Sequence, residues 1–476
     1  MGVVGQLQRA ARARGRSLVR VVLAGAIAVS GVVAVAPSAS AVGPRRPDIV
    51  VIVTDDQHRS TLGWLPTVRR EIADRGVVFT HAMVPTSVCC PSRATLFTGL
   101  YAHSTKVWSN SQGWQRFRNA GMESRTIAVW LRRAGYRTGL VGKYLNSYLG
   151  SQPPPGWRVW HAFRGTNAAY YGYELVHTDG SISRHGYGPA EYSTDVLRRH
   201  AVSFLRRSSD RRPTFLYFAP YAPHGPSTPA PRHVNLPVRI DPFGPPSVNE
   251  ADVSDKPSWI RRLPLVDTSA IQSMRRQEYR SLRAVDEAVA AIIDVQRDRG
   301  RIRNTLMFVL ADNGEMWGEH RAQGKFLPYA GATRIPMALA WPARVPAGRR
   351  DRRLTLNVDV AATIAAAAEA AHDPIEGRNL LRRGWSRRGF VLEAEGTDAL
   401  GGNGTNVTRP AYCGWRTRRF LYVRYGNGRE ELYDYAEDRW ELTDVHGRAL
   451  YRDRKATFRR RARARCDPPP PGFTWR

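Results

Sequence analysis

Cysteine is scarce in this chain: four in 476 residues, which excludes a disulfide scaffold. No zinc-type cluster of Cys and His is visible in the spacing either. Lysine is almost as scarce, with five residues against 67 arginines. That skew, with abundant alanine, reads as genome-wide composition bias as much as adaptation to an acidic partner. The formal net charge of +31 therefore does not assign a partner by itself. Internal repeats are absent, and after residue 42 nothing approaches the about 18 uninterrupted apolar residues of a membrane span. What is present is enough to build a core. Hydrophobic residues make up 42% and charged ones 24%, which excludes disorder of the whole chain. The length suits two or three domains, or one large α/β domain with a smaller companion.

The first 42 residues read as a signal peptide. Arg9, Arg12, Arg14, Arg16 and Arg20 form a basic start, an apolar run covers 21–36, and Pro37-Ser38-Ala39-Ser40-Ala41 offers a small-residue cleavage site. Removing five arginines leaves the mature chain at +26, since 31 − 5 is 26. The expectation is an exported, soluble protein with no membrane association after cleavage and no nucleic-acid partner.

Three runs in the mature chain share one design. Asp48–Val53, Thr214–Phe218 and Thr305–Leu310 are continuously apolar and β-branched or aromatic, as suits strands buried on both faces of a parallel sheet. Each ends in a polar cluster: Asp55-Asp56, Pro223-His224 and Asp312-Asn313. Helical patterns lie between them. Ser124 is placed to cap Ile127–Leu131. Val196, Leu197, Ala201, Phe204 and Leu205 mark one apolar helix face; Leu282, Val285, Val289, Ile292 and Ile293 mark another. Alternating strands and helices predict an α/β domain with a mostly parallel sheet covered by helices. In such sheets the chemistry lies outside the carboxyl ends of the strands, where these three clusters fall. After about residue 385 the pattern changes. Phe420–Tyr425, Asn427-Gly428 and Glu431–Asp434 read as a hairpin. The expected organisation is a signal peptide over 1–42, a catalytic domain over 43–384 and a smaller C-terminal α+β domain with an antiparallel sheet over 385–476. The arginine-rich tail 452–465 reads as a solvated basic helix.

Asp55, Asp56, Asp312 and Asn313 are all oxygen donors, the ligand type of a hard divalent cation. One Asp-Asp pair after a strand would be weak evidence, because capping explains such pairs as well. Two pairs at equivalent strand ends favour the metal. Cys89-Cys90-Pro91-Ser92-Arg93 admits two readings by spacing alone. One is a nucleophilic Cys at a helix start with Arg93 one turn on; the other is a pair of buried cysteines before a Pro-initiated helix.

Cys89-x-Pro91-Ser92-Arg93 followed by Thr98-Gly99 resembles the signature of the type I sulfatases. The resemblance extends through Thr54–Gln57, Gly142–Asn146, Ala222–His224, Asp312–Gly314, Gly324-Lys325, Arg334–Pro336 and Glu431–Asp434. The Cys-Cys-Pro-Ser-Arg form, Lys143–Asn146 and Pro155–Trp157 look most like N-acetylglucosamine-6-sulfatases. The resemblance implies an alkaline-phosphatase-like fold and conversion of Cys89 to formylglycine by a formylglycine-generating enzyme. It further implies one Ca²⁺ held by Asp55, Asp56, residue 89, Asp312 and Asn313. A hydroxyl of hydrated formylglycine would attack sulfur and displace the alcohol. Its second hydroxyl would then expel sulfate and restore the aldehyde. Arg93 would hold the nucleophile and the metal-site carboxylates, Lys143 and Lys325 would clamp sulfate, and His224 would donate a proton to the leaving alcohol. The implied substrate is a sulfated carbohydrate.

Two of only five lysines fall at these motif positions, where a compact ammonium differs from arginine's planar fork. The chain departs from the arylsulfatase pattern at Leu145, where a histidine is common, and at Ala330-Gly331-Ala332, where acidic residues commonly follow the tyrosine. His58, His81, His103, His233 and His320 read as loop or packing residues, with His103 and His320 nearest the motifs. Cys413 and Cys466 are compatible with a bridge in an exported protein. Asn403-Gly404-Thr405 and Asn406-Val407-Thr408 match the glycosylation pattern. Two other functions stay open: a phosphonate monoester or phosphodiester hydrolase on the same scaffold, and an inactive polyanion-binding relative.

Overall fold

The first strand, β1 (Asp48–Thr54), shows why the sheet is buried on both sides. Ile49, Val51 and Val53 join a core that includes Leu96, Phe97, Trp130 and Ile364; Val50 and Ile52 join another with Leu197, Phe204, Leu282 and Ile293. Alternate side chains of one apolar run thus serve two helical layers. The computed structural model describes residues 46–165, 168–397 and 407–476. The expected signal peptide lies outside the described residues, as do Asn403 and Asn406.

Nine further strands complete the main sheet. They are β2 (Val77–Phe79), β3 (Arg137–Gly142), β4 (Val159–Phe163), β5 (Tyr173–His177), β6 (Ile182–His185), β7 (Thr214–Ala219), β8 (Thr305–Ala311), β9 (Met337–Ala340) and β10 (Arg349–Asp351). Their order is β10-β2-β9-β8-β1-β7-β3-β4-β5-β6. The central run from β8 to β4 is parallel, whereas β9 pairs antiparallel with β8 and β2, and β5 with β4 and β6. The sheet is therefore parallel at its centre and flanked by antiparallel pairings, with the edge strand β10 parallel to β2.

The main helices are α1 (Cys89–Thr98), α2 (Ile127–Arg133), α3 (Ser193–Arg206), α4 (Thr268–Asp298) and α5 (Val358–Ala368). The apolar faces expected on α3 and α4 are the buried ones. Asp267 caps α4 by accepting from the backbone of Ser269 and Ala270. Ser124 does not cap α2. Its hydroxyl bonds back to the Gly121 carbonyl within a short 3₁₀ turn, and Thr126 occupies the capping position without a side-chain bond. A serine two residues upstream was better used to close the preceding turn.

A second, antiparallel sheet comprises β11 (Phe390–Ala394), β12 (Tyr412–Arg416), β13 (Phe420–Tyr425) and β14 (Glu430–Asp434) in that order. The hairpin turn contains Asn427 and Gly428, the latter at φ 87°. The basic tail is α6 (Arg452–Arg465), anchored by buried Phe458 and Ala462 and by a Cys413–Cys466 disulfide. The small sheet shares its core with the large unit: Leu392, Tyr412 and Leu421 pack in one cluster with Met83, Tyr329 and Leu356.

Candidate active site

Helix α1 starts where the chemistry is concentrated. Val88 is still extended, Cys89 opens the helix, and Pro91 in the first turn costs no hydrogen bond there. Gly99, at φ 70°, closes it. Every residue of the helix is buried, so Cys89 is only 1% exposed. Arg93 lies one turn on, on the same face, and passes beneath it.

The ends of β1 and β8 meet opposite that helix start. Asp312 Oδ1 accepts the backbone amides of Asp56 (3.1 Å) and Asn313 (2.9 Å), locking together residues 256 apart in sequence. Asn313 Nδ2 donates to Asp56 Oδ1 at 2.7 Å. Asp56 itself sits at φ 56°, a conformation that Asp tolerates better than most residues. Ligand atoms of Asp55, Asp56, Cys89 and Asp312 all lie within 4.8 Å of one another. Asn313 Oδ1 is buried and has no hydrogen-bond partner. Three clustered carboxylates, with a buried amide oxygen left unpaired on the neighbouring Asn313, fit a hard divalent cation. The orphaned oxygen is the observation that tests the fit, since a buried unpaired acceptor is costly without a ligand to satisfy it.

Three cations balance the three carboxylates. Arg93 Nε donates to Asp312 Oδ2 at 2.8 Å and Nη1 to the Lys143 carbonyl at 2.9 Å, with Asp55 3.7 Å from Nη2. Lys143 Nζ is 2.5 Å from Asp55 Oδ2. Lys325 Nζ reaches Asp56 Oδ2 and Oδ1 at 2.5 and 2.6 Å and Cys89 Sγ at 2.8 Å. Burial opposes ionisation of Asp55, but Lys143, Arg93 and His224 outweigh it and lower the carboxyl to about 2. Asp56 is lowered in the same way by Lys325 and His224. Burial likewise works against both lysines, yet the carboxylates facing them raise their pKa values. The six groups are formally neutral together, so a divalent cation would leave the site with a +2 excess for an anion.

Burial, followed by the neighbouring carboxylates, pushes the Cys89 thiol well above its ordinary range despite the two lysines. Cys90 is packing. Its thiol is pushed up to about 12 by burial, and a Cβ on Gly113 would stand 2.1 Å from its sulfur.

The structure brings Asp55, Asp56, Cys89, Arg93, Lys143, Lys325, Asp312 and Asn313 together, with His224 at the rim. His224 Nε2 is 3.4 Å from Asp56 Oδ2 and its side chain is 30% exposed. Sequence reasoning missed Tyr221, whose hydroxyl meets His224 Nδ1 at 2.8 Å and whose ring stacks on the imidazole. Its position within the same loop motif was the available signal. It also missed Asn357, which donates to Ser92 Oγ at 2.8 Å while Ser92 donates to the Asp312 carbonyl.

His103 and His320 lie outside the cluster. His103 Nδ1 pairs with Glu393 of β11 at 2.9 Å, and His320 Nδ1 pairs with Glu250 at 2.5 Å, with Glu441 3.7 Å from Nε2. Leu145, the first departure from the arylsulfatase pattern, is buried in the core. At the second departure, Glu441 accepts the Ala330 amide at 3.1 Å. A carboxylate thus reaches this loop from the C-terminal segment. Glu431 supports the same loop from β14, accepting hydroxyls from Tyr329, Tyr433 and Tyr425 at 2.9, 2.7 and 2.5 Å.

A family model described as Sulfatase matches residues 47–370. The chain is 34% identical over 339 residues to the extracellular sulfatase SULF-1 homolog of Drosophila melanogaster, covering 67% of this chain and 29% of that protein. To the putative extracellular sulfatase Sulf-1 homolog of Caenorhabditis elegans it is 31% identical, covering 70% of this chain and 48% of that protein. The chain thus spans less than half the length of these two relatives. The human N-acetylglucosamine-6-sulfatase is 30% identical over 419 residues, 83% of this chain and 73% of that protein. Among solved structures, one in complex with its substrate D-glucosamine-2-N,6-O-disulfate superposes with a TM-score of 0.71 at 21% identity, over 88% of this chain and 97% of that one. The phosphonate monoester hydrolase of Agrobacterium radiobacter superposes at 0.67 with 20% identity, over 88% and 95%.

Proposed function

This chain belongs to the sulfatase family, and on that premise we propose that it is an exported hydrolase of sulfate esters on sugars, of the N-acetylglucosamine-6-sulfatase type. The observation that carries the reading is the convergence of Cys89, three carboxylates and three buried cations with an unpaired Asn313 oxygen. The similarity to N-acetylglucosamine-6-sulfatases supports the sugar class. The name of the Drosophila relative, an extracellular sulfatase, supports export.

Residue 89, oxidised to formylglycine and hydrated, supplies the attacking hydroxyl. Its oxygen bonds to sulfur, its proton passing to a neighbouring carboxylate, as the sulfur–alkoxide bond breaks, and a protonated His224 at the rim gives its proton to the departing oxygen. Lys143 and Lys325, both nearly buried, hold the sulfate oxygens as charge moves onto them. Arg93 fixes Asp312 and Asp55 beneath the nucleophile. His224, now neutral, takes the remaining hydroxyl's proton as the carbon–oxygen bond to sulfate breaks, which reforms the aldehyde and releases sulfate. Asp55, Asp56, Asp312 and Asn313 would hold one Ca²⁺, which supplies Lewis-acid polarisation of the ester. We propose a catalytic domain over 43–384, with 385–476 as a companion that buttresses the Lys325 loop through Glu431 and Glu441.

Mass spectrometry of the tryptic peptide Gly76–Arg93 from the native host should show formylglycine at 89. The same preparation should release sulfate from glucosamine 6-sulfates faster than phosphate from matched phosphate or phosphonate esters. Formylglycine with a preference for the phosphorus esters would assign the second hydrolase class. Active protein with an unmodified Cys89 would sink the mechanism.

A further inference from the structure

The far side of the main sheet carries a side-chain cluster that sulfate chemistry does not use. His161 of β4 and His177 of β5 are direct cross-strand partners, and His200 of α3 lies over them. One nitrogen from each of the three rings lies within 4.8 Å of the others. The Nδ1 atoms of His161 and His177 are 2.7 Å apart, and the His161 ring stacks on His200 with centroids 3.9 Å apart. Two Nδ1 atoms at that distance have room for one proton between them, so at least one lone pair faces the cluster. All three rings are half-buried. Burial, reinforced by the neighbouring imidazoles, lowers the pKa of His161 to about 3; burial, then His177 and Arg199, lower that of His200 to about 4. A group of neutral imidazoles costs a folded protein buried polar surface and gives it a ligand set.

A hydrogen-bonded chain holds His177 in place from behind. Its Nε2 meets Ser183 Oγ at 2.8 Å, Ser183 Oγ meets His185 Nε2 at 2.8 Å, and His185 Nδ1 meets Glu191 Oε2 at 2.5 Å. Such outer partners are what fix ring orientation in metal sites. Asp179, in the turn between β5 and β6, accepts from Ser181 and adds negative charge nearby without entering the cluster.

We propose that His161, His177 and His200 bind a borderline divalent transition metal, zinc being the expected one, through three imidazole nitrogens with a fourth position open to water. The all-nitrogen donor set distinguishes this site from the all-oxygen cluster at Asp55 and selects against Ca²⁺ and Mg²⁺. Zinc geometry places such nitrogens about 2.0–2.1 Å from the ion. Bound there, the ion ties the antiparallel pair β4 and β5 to α3.

The test is cobalt(II) titration of the untagged, chelator-stripped full chain. One equivalent should develop the intense visible absorption of tetrahedral cobalt, and zinc should abolish it. His177→Gln and His200→Gln should each remove the signal, with folding checked by near-ultraviolet circular dichroism. Ser183→Ala, a milder change, should weaken cobalt binding by about 10- to 100-fold. Asp56→Asn should leave the signal intact. Folded wild-type chain without tetrahedral absorption at saturating cobalt overturns the proposal. So does a signal that survives His177→Gln, or one that Asp56→Asn removes.

Discussion

Replacing Lys325 with arginine conserves charge and changes its shape, which isolates what a compact ammonium does in the site. Lys325 Nζ stands 2.5–2.8 Å from both oxygens of Asp56 and from Cys89 Sγ, three contacts converging on one nitrogen. A guanidinium can fork onto Asp56, but its planar donors then point away from residue 89. Loss of one preorganised donor at a developing negative charge costs about 2.7–4 kcal/mol, or about 10²–10³ in kcat. Lys325→Arg should therefore fall that far in sulfate-ester turnover, measured on protein whose formylglycine content matches the parent. Stability should change far less, because Asp56 keeps a cationic partner. Lys325→Met should behave differently. It leaves Asp56 buried and unpaired, and urea denaturation should show a loss of about 3–5 kcal/mol. Retention of kcat within about threefold by Lys325→Arg, under about 0.7 kcal/mol, would refute the argument that geometry at this nitrogen matters.

The remaining predictions concern stability. Burial lowers the pKa of His103 and His320, but Glu376 with Glu393, and Glu250 with Glu441, outweigh it and raise them to about 10 and about 9. Each contribution, on the order of 3 kcal/mol, should be full below about pH 6.5, shrink as pH rises, and vanish above about 9 to 10. Urea midpoints should accordingly fall between pH 7 and 10, and His320→Gln should flatten that slope. The Cys413–Cys466 bridge closes a 53-residue separation, so the double serine variant should lose about 4 kcal/mol under non-reducing conditions. Gly113→Ala drives a methyl into Cys90 and should cost about 1–3 kcal/mol, part of which Cys90→Ala recovers.

The sequence made the site legible because its residues stand at the ends of strands whose apolar runs need no partner to be read. Asp55-Asp56 and Asp312-Asn313 end two such runs, and β1 and β8 do pair along their whole length. Strand order and the antiparallel edges were not legible, since pairing partners up to hundreds of residues apart leave no local trace. The same limit hid the histidine cluster. His161, His177 and His200 have no metal-ligand spacing in sequence, and only cross-strand register and the docking of α3 assemble them. It hid Glu431 as well: its motif was visible, but the three tyrosines around it converge from two strands and a distant loop. Ser124 failed for a smaller reason, a choice between two adjacent turns that propensity does not resolve.

The depth of Cys89 sets a clock on biosynthesis. Strand β8, which leads into Asp312, begins more than 200 residues downstream, and Lys325 lies further still. On a ribosome adding about 5–20 residues per second, residue 89 precedes these segments by roughly ten seconds or more. The enzyme proposed above to convert Cys89 would have that interval in which to reach the motif. In the folded chain the sulfur is sealed with 1% of its surface exposed. On the proposed conversion, maturation would be a race between modification and sheet closure. Slowing translation after residue 89 should raise the modified fraction, and accelerating folding should lower it.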